Sequence, residues 1–184
     1  MKVITLNDYQ TKRFADRVIK TLFNSLTGKK IALYGFAFKK NTGDTRESAA
    51  IRLVKSFLSE GGRVDIFDPK VEEAQIWHEL VTPEVSRERC TFVLFDSLFL
   101  VQSHVRVVNS PYDAAIGAAA VVIATEWDEF RCDQMDYQRV YQGMNKPAYL
   151  FDGRLIIDQN LLKNIGFKVE VIGKGGGRVR EMFE

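Results

Sequence analysis

Apolar positions recur along this chain with two periods. Across residues 6–26, Phe14, Val18, Leu22 and Phe23 fall at i, i+4, i+8 and i+9, which is one stripe of a helix. Lys12, Arg13, Arg17 and Lys20 face elsewhere. Asn7 or Asp8 is placed to cap this helix through its short polar side chain. The chain begins inside an element, which fits a helix continued from another domain and equally a simple N-terminal helix. A short apolar run at 29–34 then reads as a strand. Residues 47–59 follow with helical spacing, their buried face being Ala49, Ala50, Leu53, Val54 and Phe57. Asp44 with Glu47 three residues on predicts a capping box, and Gly61-Gly62 stops the helix. Residues 63–67 read as a second strand, closed by Asp68-Pro69.

The alternation continues. A short helix is expected at 72–80. Residues 90–101 are strongly apolar but fit neither period, so strand, buried helix and inserted hairpin all stay open. A strand is predicted at 105–108, a helix at 111–117, and a strand at 119–124 followed by Thr125-Glu126-Trp127. A helix at 136–144 and a strand at 148–151 lead to Asp152-Gly153-Arg154. The 155–165 segment holds a short helix stopped by Gly166, and 167–172 is the last strand. The tail, residues 174–184, has little apolar density and is expected to be mobile. Strands separated by helices predict a Rossmann-like α/β fold, a doubly wound, mainly parallel sheet of about six strands with helices on both faces, preceded by one helix. The first strand is expected at the centre. Its following loop then lies beside the loop after the fourth strand, at the switch point where such sheets bind ligands. The expected partition is a helical segment at 1–28, the sheet domain at 29–173 and the tail at 174–184.

Composition narrows the function. The 184 residues carry 46% hydrophobic and 27% charged residues, ordinary for a soluble domain. A chain of this size buries roughly 70% of its unfolded surface. A net charge of +2 builds no strong field toward nucleic acid or membrane. Basic residues are interleaved with acids and form no stripe. Cys90 and Cys132 have no CxxC or CxxH partner and read as free thiols of a reducing compartment. No charged-then-apolar leader opens the chain, and the apolar run at 118–124 is too short for a bilayer. A cytoplasmic location is expected.

The loop between the first strand and its helix, GFAFKKNTGDTRES from Gly35 to Ser48, carries the candidate chemistry. A dinucleotide cradle would need GxGxxG, with glycines letting the backbone approach pyrophosphate. Here Gly35 stands nearly alone among Phe36, Ala37 and Phe38. Phe38 offers a ring to stack or pack on a base or sugar, or is simply core filler. Lys39 offers charge for phosphate, and Arg154 a planar fork for phosphate or a carbonyl; solvated surface charge is the alternative for both. Arg46 beside a helix start is disfavoured by the dipole and calls for an anionic partner, such as one from another domain. Asp68 reads as a turn residue or, less readily, a ribose ligand. His78 and His104 have no nucleophile motif or metal spacing around them and read as structural or surface residues. Arg131 beside Cys132 would lower its pKa, but no general base accompanies it.

These segments resemble a known family. The loop at 35–48 matches its signature, as do VITLNDYQTKRFADRVI at 3–19, FDP at 67–69, VVIATEWDEF at 121–130 and FDGR at 151–154, in order along nearly the whole chain. The family is that of the UDP-glucose/GDP-mannose dehydrogenases, and the Phe38–Thr45 part of the loop looks like that of its UDP-glucose-oxidising members. The resemblance implies the C-terminal, UDP-sugar-binding part with the end of a central helical region. It implies an NAD-dependent double oxidation of UDP-glucose to UDP-glucuronate, using two NAD. The cysteine that forms thiohemiacetal and thioester intermediates, its Lys and Asp helpers and the GxGxxG loop lie upstream in the family, so no catalytic residue is assigned here. By motif, Phe38, Lys39 and Arg154 are expected to bind the substrate and Arg46 the NAD held by the other domain. The expected partners are UDP-glucose or UDP-glucuronate, the rest of the dehydrogenase chain and further copies in a homo-oligomer. Neither nucleic acid, membrane nor metal is expected. Residues 90–103 depart from the family pattern, being longer and more apolar. A module that binds nucleotides or builds assemblies without catalysis is the rival reading, and a sheet that holds NAD itself is a weaker third.

Overall fold

A computed structural model describes residues 2–81 and 101–172 of the chain. Its elements are α1 (Lys2–Thr21), β1 (Lys30–Tyr34), α2 (Ala49–Ser59), β2 (Arg63–Phe67), α3 (Glu73–Val81), β3 (Val105–Val107), α4 (Pro111–Ala115), β4 (Ala120–Ile123), a 3-10 turn (Asp128–Phe130), α5 (Tyr137–Gly143), β5 (Tyr149–Asp152), α6 (Gln159–Ile165) and β6 (Lys168–Val171). The strands form one parallel six-stranded sheet in the order β3-β2-β1-β4-β5-β6. This is the doubly wound order read from the alternation, with β1 central and its neighbours β2 and β4 leaving in opposite directions. The helices pack in two groups, α1–α2–α3 and α4–α5–α6.

The central strands are buried on both faces. Ile31, Ala32, Leu33 and Tyr34 of β1 and all of β4 have no accessible surface. This is why they read as continuous apolar runs, not as alternating ones. In β2, Asp65 is buried too, held by Lys30 at 2.8 Å and Arg106 at 2.6 Å from the two neighbouring strands. Such a charge is tolerated because its partners remain at the sheet end, near water.

Several boundaries differ from the pattern-based reading. α1 starts at Lys2 and ends at Thr21, so Asn7 and Asp8 are interior positions and not caps. Polar residues cost only fractions of a kcal/mol inside a helix, and Asp8 meets Arg52 of α2 at 2.9 Å. Phe14, Val18 and Leu22 are buried as predicted. Phe23 is 75% exposed, because Phe23 and Asn24 turn left-handed at φ 68° and 58° and leave the helical stripe. The capping box is also replaced. α2 begins at Ala49, and Ser48 caps it by accepting the Ala50 N–H at 3.2 Å. Glu47 stands outside, at φ 60°. Residues 101–104 are helical, while the rest of the apolar 90–103 stretch and the 174–184 tail lie outside the described residues.

Candidate functional site

Parallel register brings three loops to one edge of the sheet. Tyr34 of β1 pairs with Ile123 of β4, which pairs with Asp152 of β5. The chain leaves each strand there, so the loops beginning at Gly35, Ala124 and Gly153 are neighbours. This is the switch point between β1 and β4, where the strand order reverses.

The β1 loop is shaped from below by Asp68. Its Oδ2 accepts from the N–H groups of Phe36 at 2.6 Å and Ala37 at 3.0 Å, and from the Trp127 indole at 3.0 Å. Its Oδ1 accepts from the N–H groups of Lys70 and Val71 at 2.9 and 3.0 Å. The turn reading of Asp68 therefore holds, and the ribose reading does not: both oxygens are committed to protein donors. From above, the Thr125 hydroxyl donates to the Ala37 carbonyl at 2.7 Å. Gly35 sits at φ 88°, where a Cβ would lie 2.4 Å from the Thr125 Cβ, so glycine is required by both backbone and space. The far end of the loop is tied down by Thr45, fully buried, whose hydroxyl donates to Glu79 of α3 at 2.7 Å. Asp152 shapes the β5 loop in the same way, accepting from the N–H groups of Arg154, Ile156 and Ile157 at 2.7, 2.8 and 3.1 Å.

Above these loops lies a pocket of about 290 Å³. Phe38 and Lys39 of the β1 loop, Arg154 of the β5 loop and Glu126 of the β4 loop line it, with Gln10 and Phe14 of α1 along one side. Phe38 is 43% exposed, so its ring faces outward and is not core filler. Arg154 donates from Nε to the Ala124 carbonyl at 2.6 Å and sits 3.4 Å from Glu126 Oε2. With its Nε fixed to the backbone, its terminal nitrogens remain for a ligand. The next lysine, Lys40, is drawn aside by Asp128, both of whose oxygens it reaches at 3.1 Å. Lys40 and then Arg131 hold the Asp128 carboxyl below its ordinary value.

Arg46 is not part of this lining. It forms a two-pronged pair with Asp44 of its own loop, at 2.9 and 2.7 Å, and its side chain is 84% exposed. The partner its position calls for is thus supplied within the loop, and the Asp44 carboxyl falls to about 2 through its hydrogen bonds with Arg46. Cys132 departs from expectation. Burial pushes its thiol up, and Arg131, tied to Asp128 at 3.0 Å, does not lower it. Among the described residues no group of three or more His, Cys, Asp and Glu is placed to hold a metal, and no helix is long and apolar enough to cross a membrane.

The crevice does not fit a dinucleotide. The Phe36 and Ala37 N–H groups that would receive a pyrophosphate already bind Asp68, and the space beside Gly35 is filled by Thr125. Among the pocket residues that pattern alone did not read as part of a site are Glu126, Glu47 and the α1 wall. The strand–loop alternation located the β4 loop but could not show which of its side chains turns inward.

Comparison with known proteins agrees with this geometry. Residues 32–159 match the UDP-glucose/GDP-mannose dehydrogenase family, UDP binding domain. The chain is 48% identical over 173 residues to a UDP-glucose 6-dehydrogenase of Drosophila melanogaster, covering 94% of this chain and 34% of that protein. It is 42% identical over 181 residues to the UDP-glucose 6-dehydrogenase of Caenorhabditis elegans, covering 98% of this chain and 35% of that one. The chain thus spans about a third of the length of the curated relatives it matches. Solved structures share its fold, two dehydrogenases among them. A UDP-glucose dehydrogenase from Pyrobaculum islandicum superimposes with a TM-score of 0.55 at 22% identity, over 91% of this chain and 30% of that one. An NDP-N-acetyl-D-galactosaminuronic acid dehydrogenase from Methanosarcina mazei Go1 does so with 0.63 at 18%, over 89% and 28%. With signature loop, sheet order and family match in agreement, the chain belongs to the UDP-glucose/GDP-mannose dehydrogenase family, as its UDP-binding domain.

Proposed function

We propose that this chain is the UDP-sugar-binding part of an NAD-dependent UDP-glucose 6-dehydrogenase. The whole enzyme oxidises the C6 alcohol of UDP-glucose to the carboxylate of UDP-glucuronate, with two NAD as hydride acceptors and water supplying the second oxygen. The observation that carries this reading is the meeting of Phe38, Lys39 and Arg154 in one pocket at the switch point. Lys39 and the terminal nitrogens of Arg154 hold the diphosphate by charge-assisted hydrogen bonds. Phe38 packs on the uridine or the sugar. A pocket of about 290 Å³ lies at the small end of ligand sites, roughly 300–1,000 Å³, so it holds part of a nucleotide sugar against a wall supplied by the rest of the enzyme.

No residue of this chain is assigned to bond breaking. The dinucleotide-binding domain and the nucleophilic cysteine are placed in the part of the relatives that the chain does not span. Arg46 would hold the anionic NAD from this side, which would require it to exchange Asp44 for the cofactor. The assembled enzyme is read as a cytoplasmic homo-oligomer.

Calorimetric titration with UDP tests the site. Lys39→Ala and Arg154→Ala each remove a contact of about 1.5–3 kcal/mol, so each weakens binding about 10- to 150-fold. Unchanged affinity in both folded variants would sink the assignment.

A further inference from the structure

Glu126 is one of two carboxylates, with Glu47, that line a pocket read as a phosphate site, and the one whose oxygen is buried without a hydrogen-bond partner among the described residues. Its Oε1 accepts the Lys40 N–H at the long distance of 3.5 Å, and its Oε2 is buried with no hydrogen-bond partner among the described residues. Oε2 lies 3.4 Å from Arg154 Nε, but the Nε hydrogen is committed to the Ala124 carbonyl at 2.6 Å. The carboxylate therefore attracts the guanidinium without receiving a hydrogen from it. A buried carboxylate oxygen in this condition lacks a donor, and the open side of the pocket is where one can enter.

We propose that Glu126 is a specificity residue, which accepts a hydrogen bond from a hydroxyl or imide N–H of the nucleotide sugar and repels any further phosphate charge beside Arg154. This rests on the reading of the pocket as a UDP-sugar site and adds to it the basis of its selectivity. Both phosphates of a nucleotide sugar are esterified on each side, so the ligand brings two negative charges and many hydroxyl donors. A nucleoside triphosphate brings a terminal phosphate with more charge and no donor at that end. Lys39 and Arg154 attract both ligands. Glu126 separates them, since like charges a few ångströms apart in a partly desolvated site repel strongly. Its negative charge also helps hold the guanidinium beside the β4 loop, where Nε meets the Ala124 carbonyl.

Calorimetry with UDP-glucose and UTP, at one fixed salt concentration, tests this on the full chain. The wild type is expected to prefer UDP-glucose. Glu126→Gln keeps the shape and an acceptor oxygen and removes the charge, so the preference is expected to shift toward UTP by about tenfold or more. Asp113→Asn, which removes an exposed charge on α4 outside the pocket lining, is expected to leave the ratio alone. Thermal unfolding checks that the Gln variant is folded, and Glu126→Asp, which keeps the charge, is expected to restore part of the preference. An unchanged ratio in folded Glu126→Gln, with binding still lost in Arg154→Ala, would overturn the role of Glu126 and leave the UDP-sugar site standing. If neither ligand binds and Lys39→Ala and Arg154→Ala change nothing, the UDP-sugar reading itself falls, and this inference with it.

Discussion

Asp68 never touches the pocket, yet it decides where the pocket residues stand. Five N–H donors converge on its two oxygens, from the β1 loop, from its own turn and from Trp127 after β4. Asp68→Asn is isosteric but turns one oxygen into a donor facing donors. It is expected to cost about 3 kcal/mol in urea unfolding, as buried N–H groups lose a charged acceptor. A loss below about 1 kcal/mol would show that the loop is held by other means. At the far end of the same loop, Asp44 is expected to titrate near 2 by NMR and to return toward its ordinary 3.8 in Arg46→Ala. The folded-state value is depressed. The stability the pair lends is therefore present above 3.8 and is lost as pH falls toward 2. Phe38, Lys39 and Arg154 were legible as candidates because they are an aromatic and two cations in loops that follow strands. Asp68 was legible as a turn residue but not as the anchor of the β1 loop, and Glu126 and Thr125 were not legible at all, since their importance lies in which distant groups they meet.

Among the elements, α1 binds to α2 by two unequal means. Leu22 is almost fully buried at 2%, in the same core as Val18 and Phe57. Asp8 and Arg52 form a partly exposed ion pair at 2.9 Å. Leu22→Ala leaves a cavity and is expected to cost about 2–5 kcal/mol. Asp8→Ala is expected to cost less than about 1 kcal/mol, as a screened pair does. Chemical denaturation of the two variants checks the order, and equal losses would show that the ion pair, not the buried stripe, fixes α1. The helical period identified that stripe but misplaced both ends of the helix. Its start lies ahead of Asn7 and Asp8, with Asp8 paired sideways to Arg52, and its end was cut short by left-handed Phe23 and Asn24, a conformation that residue type alone does not announce. The start of α2 was misread for a related reason. Asp44 had a closer partner in Arg46, leaving Ser48 as the cap.

For the whole molecule, the 184-residue chain by itself is expected to reduce no NAD with UDP-glucose, measured as NADH absorbance. Turnover by the purified chain would remove the reading of this domain as one wall of a shared active site. The sequence by itself determined the alternation of strands and helices, the central place of β1 and the family, because fully buried parallel strands must be apolar throughout and long motifs leave little room for chance. It also pointed to the loop at 35–48, since its lack of a glycine array excludes a simple dinucleotide cradle. Only the tertiary structure decided which groups share the pocket. Lys39, Glu126 and Arg154 lie in three loops far apart along the chain, and parallel register across β1, β4 and β5 is what brings them together. It also decided that Arg46 turns outward to Asp44 and that an α1 wall closes one side. Side-chain partners are chosen by proximity after folding, and periodicity along one strand or helix carries no information about distances between loops.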